Sequence, residues 1–434
     1  MTNCNLIIKG KYVLPMDRNL SVIKDGMVIA SENKILDIGK QSELENLYKA
    51  DEIIDVGNSI IMPGLINTHT HAAMSYFRGL ADDLPLNKWL EKHIWPAEAK
   101  FVKPDFIKKA SELACLEMIK SGITCFNDMY FFQEETAKVV QKIGMWAILG
   151  EVILNFQTPS CQTPGETINK ILKLIDKFRE NEFVDIAFAP HSIYACNEKV
   201  LNRVKELAEE NNIAVHIHIS ETKKEVEDCE KEHNKSPVAY LDKIGFLSDR
   251  VIAAHSVWLN ENDLEIYKNR GVKVSHCPIS NMKLASGIAP LVEMLGHGIA
   301  VGLGTDGVAS NNALDLFSEM RICALLHKVN KLNPMVMNAR KVVKMATVDG
   351  AKALGLNNKI GSLEVGKSAD IITINLDKPH LIPIYNPYAH LVYCAGAQDV
   401  NNVIINGKVV MENREVKTIN EEKILKEAEK FKIK

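Results

Sequence analysis

Residues 60–71 read IIMPGLINTHTH, an apolar run that ends in two histidines, His69 and His71. Because side chains alternate between the faces of a strand, residues two apart point the same way and these imidazoles would converge. Such a pair can chelate a metal ion, although two hydrogen-bonded core histidines would produce the same pattern. The run therefore predicts a buried strand with a histidine pair at its carboxyl end.

Seven further apolar runs follow, separated by polar-faced stretches that fit helices. They are Thr124–Asp128, Trp146–Leu154, Val184–Pro190, Ala214–Ile219, Val251–His255, Val272–His276 and Ala300–Thr305. Eight strand–helix repeats in about 300 residues are typical of an α/β protein with a (β/α)8 TIM-type barrel. A doubly wound open sheet is the alternative, because its apolar parallel strands have the same texture.

The two ends of the chain have a different texture from the middle. Residues 1–58 contain short strands and turns, and strand patterns return after residue 355 in Asp370–Asn375 and Val403–Val410. We therefore expect a small discontinuous β-sandwich domain from both termini. Its first part is 1–58, the metal-dependent barrel is 59–355, and 356–434 form its second part, with a polar C-terminal helix over 420–434.

Composition excludes several classes of protein. Lys+Arg 52 against Asp+Glu 55 gives a net charge of −3, which offers no basic field for nucleic acid or anionic membranes. The longest stretch without charged residues, Val56–Phe77, carries polar side chains and Pro63, so a membrane helix is excluded. The nine cysteines form no C-x-x-C pair and no secretory signal is recognised, so we expect a cytoplasmic protein.

Polar residues terminate most of the apolar runs. In a barrel, reactive groups lie where strands end, so His191, His218, His255, His276 and Asp306 would join His69 and His71 at one mouth. Nitrogen and carboxylate ligands that converge suit Zn²⁺ or Fe²⁺. We expect His69, His71, His218 and Asp306 to be the ligands. His216 could replace His218, which is nearer the strand's end.

Glu221 and His255 are the candidates for proton transfer. Glu221 follows His218 by three residues, so its carboxyl would lie beside the metal and could act as a proton shuttle. A solvated loop glutamate is the alternative for Glu221. His255 ends the run Val251-Ile-Ala-Ala-His, and both His255 and His276 could instead serve to orient other groups.

Two motif matches point to nucleotide binding, and both lack the required context. Residues 361–368, GSLEVGKS, fit the P-loop pattern, but helix-like sequence precedes them and strand-like sequence follows. Residues 302–307, GLGTDG, fit the dinucleotide fingerprint, but they come after eight repeats instead of opening them. Close packing at the barrel mouth explains these glycines better. The motifs of cytidine deaminases and of serine nucleophile elbows are absent.

Five stretches together resemble the amidohydrolase superfamily, and within it the 5-methylthioadenosine/S-adenosylhomocysteine deaminases. The similarity covers nearly the whole chain and includes Gly361–Asp370, which in this family is a turn into the C-terminal sandwich. The stretches are PGLINTHTH (63–71), HIHISET (216–222), AHS (254–256), SHCPISNMKLASGIAP (275–290) and GTDG (304–307).

The resemblance implies a hydrolytic deaminase of adenosine analogues with His69, His71, His218 and Asp306 around a single divalent cation. Zinc is the first expectation and iron the alternative. Binuclear relatives use a lysine at the end of the fourth strand, and none lies between Lys177 and Lys199. In the implied mechanism Asp306 and His255 take a proton from water, and Glu221 protonates N1 of the adenine ring. The resemblance also places four residues at the substrate, with Glu98 at the ribose hydroxyls: Trp89, Glu98, His191 and Ser310.

One departure from the family concerns the 5′-substituent of the substrate. Relatives that bind a homocysteine carboxylate use arginine after the third strand, and this chain has none between Arg78 and Arg179. Lysine is a point charge without the arginine fork, so we expect neutral 5′-substituents to be accepted at least as well as S-adenosylhomocysteine. Two other functions stay open: hydrolysis of another amino-heterocycle, cyclic amide or triazine, and a non-catalytic metal-binding barrel. The substrate of the deaminase, or of the alternative hydrolase, would be a small molecule. The protein could also form a homo-oligomer.

Overall fold

The computed structural model describes residues 1–84 and 86–431, apart from the side chain of Asn87. Its strands form a nine-stranded mixed sheet and an eight-stranded sheet whose strands are all parallel. The parallel sheet follows chain order and curves into a nearly closed barrel. This confirms the predicted (β/α)8 barrel and excludes the doubly wound open sheet.

The strands of the mixed sheet come from both ends of the chain. In the sequence, one group precedes the barrel strands and the other follows them. The first group is β1 (Thr2–Val13), β2 (Ile23–Ser31), β3 (Lys34–Lys40), β4 (Tyr48–Asp55) and β5 (Ser59–Pro63). The barrel consists of β6 (Leu65–Thr70), β7 (Ile123–Tyr130), β8 (Trp146–Ile153), β9 (Val184–Pro190), β10 (Val215–Ile219), β11 (Val251–His255), β12 (Lys273–His276) and β13 (Val301–Leu303). The last group is β14 (Ile371–Asn375), β15 (Val400–Ile405), β16 (Lys408–Glu412) and β17 (Glu415–Val416).

Helices fill the connections and form the outer layer of the barrel. The first nine are α1 (Gln41–Leu44), α2 (Leu86–Trp89), α3 (Trp95–Phe101), α4 (Pro104–Lys120), α5 (Gln133–Ile143), α6 (Pro164–Phe178), α7 (Glu198–Asn211), α8 (Lys223–His233) and α9 (Pro237–Lys243). The others are α10 (Glu261–Arg270), α11 (Pro278–Lys283), α12 (Leu291–Gly296), α13 (Leu316–Asn330), α14 (Ala339–Met345), α15 (Val348–Ala353), α16 (Pro387–Tyr393) and α17 (Glu421–Lys430). A π-helix covers Leu90–Ile94, and 3₁₀ turns cover Ala72–Phe77, Pro379–Leu381 and Ala397–Asp399.

The sequence patterns explain why barrel strands and outer helices form where they do. Every residue of β7 and of β8 is buried, as expected for parallel strands covered on both faces. Helix α6 begins at Pro164 after Thr163, whose hydroxyl accepts a hydrogen bond from the Glu166 backbone. Its buried side chains recur at helical spacing, so one face packs on the barrel: Thr167, Ile168, Ile171, Leu174, Ile175 and Phe178.

The first apolar run forms two strands that belong to different sheets. Strand β5 pairs with β1 and β14 in the mixed sheet, and β6 begins the barrel after Gly64. A Cβ at Gly64 would lie 2.1 Å from Thr124 Oγ1, so only glycine permits this close passage. The mixed sheet therefore includes Ser59–Pro63, which the sequence grouped with the barrel. The proposed domain boundaries at residues 58 and 355 stay predictions.

The first and last barrel strands are joined through the side chain of Asn67. Its Nδ2 donates to Thr305 Oγ1 at 2.8 Å, and its Oδ1 accepts from the Thr305 backbone at 3.0 Å. The Asp306 backbone N–H donates to the carbonyl of His69 at 2.9 Å. These bonds bring Asp306, which follows β13 by three residues, against the histidines at the end of β6.

The two glycine-rich motifs have the structural roles that the sequence favoured. Gly361 lies in the turn between α15 and β14, so no strand delivers a phosphate-binding loop there. A Cβ at Gly304 would lie 2.5 Å from Ser275 Oγ and 2.8 Å from His69 Cβ. Close packing at the barrel mouth therefore accounts for Gly304.

The terminal segments complete the mixed sheet, and α17 packs on α4 of the barrel layer. Lys120 of α4 forms an ion pair with Glu421, at 2.7 Å between Nζ and Oε1. The predicted C-terminal helix is present as α17, and its last predicted residues, 432–434, lie outside the described residues. Within the described part of the chain, helices long and apolar enough to span a membrane are absent.

Candidate active site

Four predicted ligands meet at the carboxyl end of the barrel. His69 Nε2 and His71 Nε2 both lie 3.3 Å from Asp306 Oδ1. One ligand atom from each of His69, His71 and His218 lies within 4.8 Å of the others, and His69 forms a second such group with His255 and Asp306. The ends of β6, β10, β11 and β13 therefore direct their polar side chains to one point.

The second nitrogen of each ligand histidine is held by the protein. His71 Nδ1 donates to the carbonyl of Met129 at 2.5 Å, and His218 Nδ1 donates to the carbonyl of His191 at 2.7 Å. A carbonyl can only accept, so both rings carry a proton on Nδ1, and Nε2 is the nitrogen left to bind a metal ion. This arrangement of the outer nitrogen is characteristic of metal-binding histidines.

His69 is held by another histidine, His216. Their Nδ1 and Nε2 atoms are 2.8 Å apart, and His69 Nε2 is buried without a hydrogen-bond partner. Burial lowers the pKa of His69 to about 4, so this ring is neutral at physiological pH. The contact places His216 behind His69, where it can orient that ring instead of sharing a cation with His218.

Asp306 is ionised and fixed by three donors. Burial alone would raise its pKa, but the neighbouring His69 and His71, whose Nε2 atoms lie 3.3 Å from its Oδ1, hold the pKa well below its usual range. Gly307 N and Ser310 Oγ donate to the carboxylate at 2.7 and 2.8 Å, and Ser280 Oγ at 2.5 Å. The backbone of Asp306 is left-handed, with φ of 60°, a strained conformation of the kind that clusters at functional sites.

The donor set fits a divalent cation. Three imidazole nitrogens and one carboxylate oxygen suit zinc or iron, and both the buried lone pair of His69 Nε2 and the anionic Asp306 require a positive partner. His69, His71, His218 and Asp306 would hold the ion, as the sequence predicted.

His255 and Glu221 lie beside this ligand group. His255 Nδ1 lies 2.9 Å from Asn281 Oδ1, which orients the ring and leaves Nε2 available. Its backbone φ is 68°, so the strand end is as strained as that of Asp306. Glu221 is 6 % exposed, and burial raises the pKa of its carboxyl, which favours the protonated acid.

A cavity of about 680 Å³ opens onto His71, His218 and Asp306. The four predicted substrate residues all line it: Trp89, Glu98, His191 and Ser310. Glu98 is buried and accepts a hydrogen bond from Tyr130 Oη at 2.7 Å, and burial raises its pKa to about 7. Apolar side chains form most of the remaining wall, as is usual for small-molecule sites.

A model of the amidohydrolase family matches residues 60–410. The chain belongs to the amidohydrolase family. This amidohydrolase is 45 % identical over 424 residues to the 5-methylthioadenosine/S-adenosylhomocysteine deaminase of Thermodesulfovibrio yellowstonii, covering 97 % of each chain. It is 48 % identical over 427 residues to the 5′-deoxyadenosine deaminase of Methanosarcina acetivorans, covering 98 % of this chain and 96 % of the relative.

A solved structure extends the comparison to the whole fold. The adenosine deaminase of Xanthomonas campestris, crystallised with bound zinc, superposes with a TM-score of 0.97 at 36 % identity. The match covers 99 % of the present amidohydrolase and 98 % of that chain. The sequence resemblance to this family is therefore confirmed.

Several residues that complete the site were not identified from the sequence. Asn281 orients His255, Ser280 donates to Asp306, and Tyr130 donates to Glu98. Ser280 and Asn281 lie within the family-like stretch 275–290, which was the available signal. Tyr130 gave none, because its strand reads as an ordinary buried strand of the amidohydrolase barrel.

His276 also ends a barrel strand, but it does not face the ligand group. Its Nε2 lies 3.1 Å from His327 Nε2 of α13, with Cys323 nearby. Both Nδ1 atoms are buried and lack a hydrogen-bond partner among the described residues, unlike those of His71 and His218. The pair therefore has the features of a hydrogen-bonded core contact of the amidohydrolase fold instead of a second metal site.

Proposed function

We propose that the chain is a metal-dependent hydrolase that deaminates the 6-amino group of adenosine analogues. The product would be the corresponding 6-oxo inosine analogue, with release of ammonia. The observation that carries this proposal is the convergence of His69, His71, His218 and Asp306 at a largely apolar cavity, with Glu221 beside them. The names of relatives with 45 % and 48 % identity support the same reaction class.

The proposed chemistry divides between the cation and the side chains. A divalent ion in the histidine–aspartate site would lower the pKa of a bound water to roughly 7. His255 and Asp306 adjoin that position and would accept the proton that water loses on attacking C6. Glu221, whose pKa burial raises, would donate a proton to N1, then take the proton of the new hydroxyl at C6 and pass it to the amino group, which departs as ammonia. The proton first accepted from water would then return to Glu221.

The remaining cavity residues would bind and orient the nucleoside. We assign Glu98 to the ribose hydroxyls, as the family resemblance implies, and its buried carboxyl lies on the cavity wall. Trp89 offers an aromatic surface, and His191 and Ser310 offer polar contacts near the ring. Ser310 already donates to Asp306, so its hydroxyl oxygen is the group left to accept from substrate.

The cavity wall favours neutral 5′-substituents. Among the described residues, neither lysine nor arginine lines it, so the wall itself offers a homocysteine carboxylate no such cationic partner. Apolar side chains lie along one side of the cavity: Leu86, Leu90, Ile94, Trp95 and Leu154. We therefore propose that 5′-methylthioadenosine, 5′-deoxyadenosine and adenosine are converted at least as well as S-adenosylhomocysteine.

We propose one zinc ion per chain, with iron as the alternative, since the donor set suits both. The absence of lysine between Lys177 and Lys199, around the fourth barrel strand, supports a single ion. We further infer a cytoplasmic protein from nine free cysteines, seven of them buried, and a homo-oligomer stays possible.

A nucleoside panel tests the proposal. Metal-loaded protein should release ammonia from the four adenosine analogues and shift the absorbance from adenine to hypoxanthine. A kcat/KM for S-adenosylhomocysteine well above the kcat/KM of every neutral analogue would contradict the proposed preference for neutral 5′-substituents. Turnover of triazines or cyclic amides without turnover of any nucleoside would contradict the proposed substrate class.

A further inference from the structure

Glu221 lies in a short turn between β10 and α8 whose backbone is strained. Ser220 has φ of 54°, in the left-handed region that non-glycine residues rarely adopt. Its carbonyl accepts from the Val257 and Trp258 backbones, both at 3.0 Å. Strain of this kind persists only where neighbouring groups hold the backbone in place.

A second buried carboxyl, Glu225, holds this turn. Its Oε1 accepts from the Ser220 backbone N–H at 2.9 Å and its Oε2 from the Glu221 backbone N–H at 2.8 Å. Glu225 is 6 % exposed, and its own backbone N–H donates to Thr222 Oγ1 at 3.1 Å. Both carboxyl oxygens are therefore committed to the two peptide groups that set the direction of Glu221.

This contact differs from ordinary helix capping. Thr222-Lys-Lys-Glu225 matches the capping-box pattern, in which the glutamate would bind the backbone N–H of Thr222. Here the carboxylate reaches past the cap to the two preceding residues. Helix formation alone does not require those bonds, so they point to a role in the turn.

We propose that Glu225 is a positioning residue that fixes the backbone of Glu221, so that the Glu221 carboxyl faces the purine ring. The inference rests on the proposed deaminase function, in which Glu221 moves the proton. Glu225 itself does not contact substrate in this proposal. Because a displacement of about 1 Å at a catalytic group can reduce the rate roughly 100-fold, the effect should appear in kcat.

Replacement of Glu225 by glutamine tests the proposal, because the amide keeps the size but offers only one acceptor oxygen. Glu225→Gln should lower kcat about 10- to 100-fold with little change in KM and with one metal ion still bound. Glu227→Gln is the matched control, since Glu227 lies on the same helix with an exposed side chain paired to Lys223. The control should keep full activity.

A double-mutant cycle separates positioning of Glu221 from general stability. In the Glu221→Gln background, Glu225→Gln should cause less than a three-fold further loss, because its effect passes through the missing acid. An equal loss in both backgrounds, or no loss in the Glu225 variant alone, would overturn the inference. Full turnover by Glu221→Gln itself would instead overturn the proposed function.

Glu225→Asp provides a second variant should the glutamine form not fold. It keeps the charge but is one methylene too short to reach both peptide groups. We expect a kcat loss in the same direction, again removed in the Glu221→Gln background. Wild-type kcat in this variant would contradict the positioning role.

Discussion

Glu221 is the residue on which the proposed proton transfer depends. Burial raises its pKa, and the protonated form is the one that donates, so kcat should fall as pH rises through that raised pKa. We predict that Glu221→Gln lowers kcat by about 10²- to 10⁴-fold and removes this alkaline limb. The measurement is a pH–rate profile of both proteins with one substrate.

Metal content is the control for this prediction, because Glu221 is not among the proposed ligands. Both proteins should carry one equivalent. A variant that loses the metal together with activity would show that Glu221 acts through the ligand group, and full activity in the variant would contradict its role as the acid.

His216 contacts His69 on the side of the ring away from the proposed metal site. Its Nε2 is 2.8 Å from His69 Nδ1, and such supporting contacts typically contribute 10- to 100-fold in metal affinity. We predict that His216→Phe weakens metal binding by about that factor, whereas His218→Asn removes a ligand and weakens it further. Competition against a chelator measures both variants.

The comparison of these two histidine variants also decides between the ligand choices that the sequence left open. A larger loss in His216→Phe than in His218→Asn would show that His216 is the ligand and that the assignment is reversed.

Glu98 gives the site a second dependence on pH. Burial raises its pKa to about 7, and only the ionised form accepts hydrogen bonds from ribose with both oxygens. We therefore predict that KM falls as pH rises through about 7, and that Glu98→Gln raises KM more than it lowers kcat. An analogue without ribose hydroxyls should abolish this pH dependence of KM.

Glu91→Gln, an exposed change on the neighbouring π-helix, is the control for Glu98. A KM that is the same in wild type and Glu98→Gln across this pH range would remove Glu98 from the ribose contact.

At the scale of the strands, the apolar runs brought most of the polar side chains that end them to one region because parallel strands end at one edge, whereas His276 faces away from it. A polar side chain directly after a buried run is visible in sequence, as at His191 or Asp306. The contacts between elements were not visible. Asn281 contacts His255 across 26 positions, and no local pattern distinguishes it from a surface polar residue.

The division of the first run shows a second limit of the sequence. Residues 60–66, IIMPGLI, contain no polar side chain, so periodicity did not separate β5 from β6. The separation depends on the packing of Gly64 against Thr124, a contact across 60 positions. The need for glycine at position 64 can therefore be recognised only once its neighbour Thr124 is known.

Asn67 joins β6 to the end of β13 and thus closes the barrel beneath Asp306. We predict that Asn67→Ala lowers the free energy of unfolding by about 1–3 kcal/mol, because the buried Thr305 N–H loses its partner. Metal affinity should also fall, since the same bonds hold Asp306 near His69. Urea unfolding measures the first effect and chelator competition the second.

Asn357→Ala, on the exposed turn after α15, is the control and should leave both quantities unchanged. If Asn67→Ala were as stable as the control, closure of the barrel would not depend on this side chain.

At the scale of the molecule, the mixed sheet braces the barrel at its opposite end. Strand β5 runs directly into β6, and Arg414 Nη1 donates to the carbonyls of Lys120, Ala397 and Val400 at 2.6, 2.9 and 2.9 Å. The described residues that line the cavity therefore all belong to the barrel, while the mixed sheet supports the barrel from its other end. This explains why ligands far apart in sequence keep fixed positions.

The central claim is that one cation among His69, His71, His218 and Asp306 makes the chain a nucleoside deaminase. The most direct measurement is the initial rate of 5′-deoxyadenosine and 5′-methylthioadenosine deamination while zinc or iron is titrated into metal-free protein. We predict that the rate rises linearly and stops at one equivalent per chain. Full deaminase activity in metal-free protein, or none at one bound equivalent, would contradict the claim.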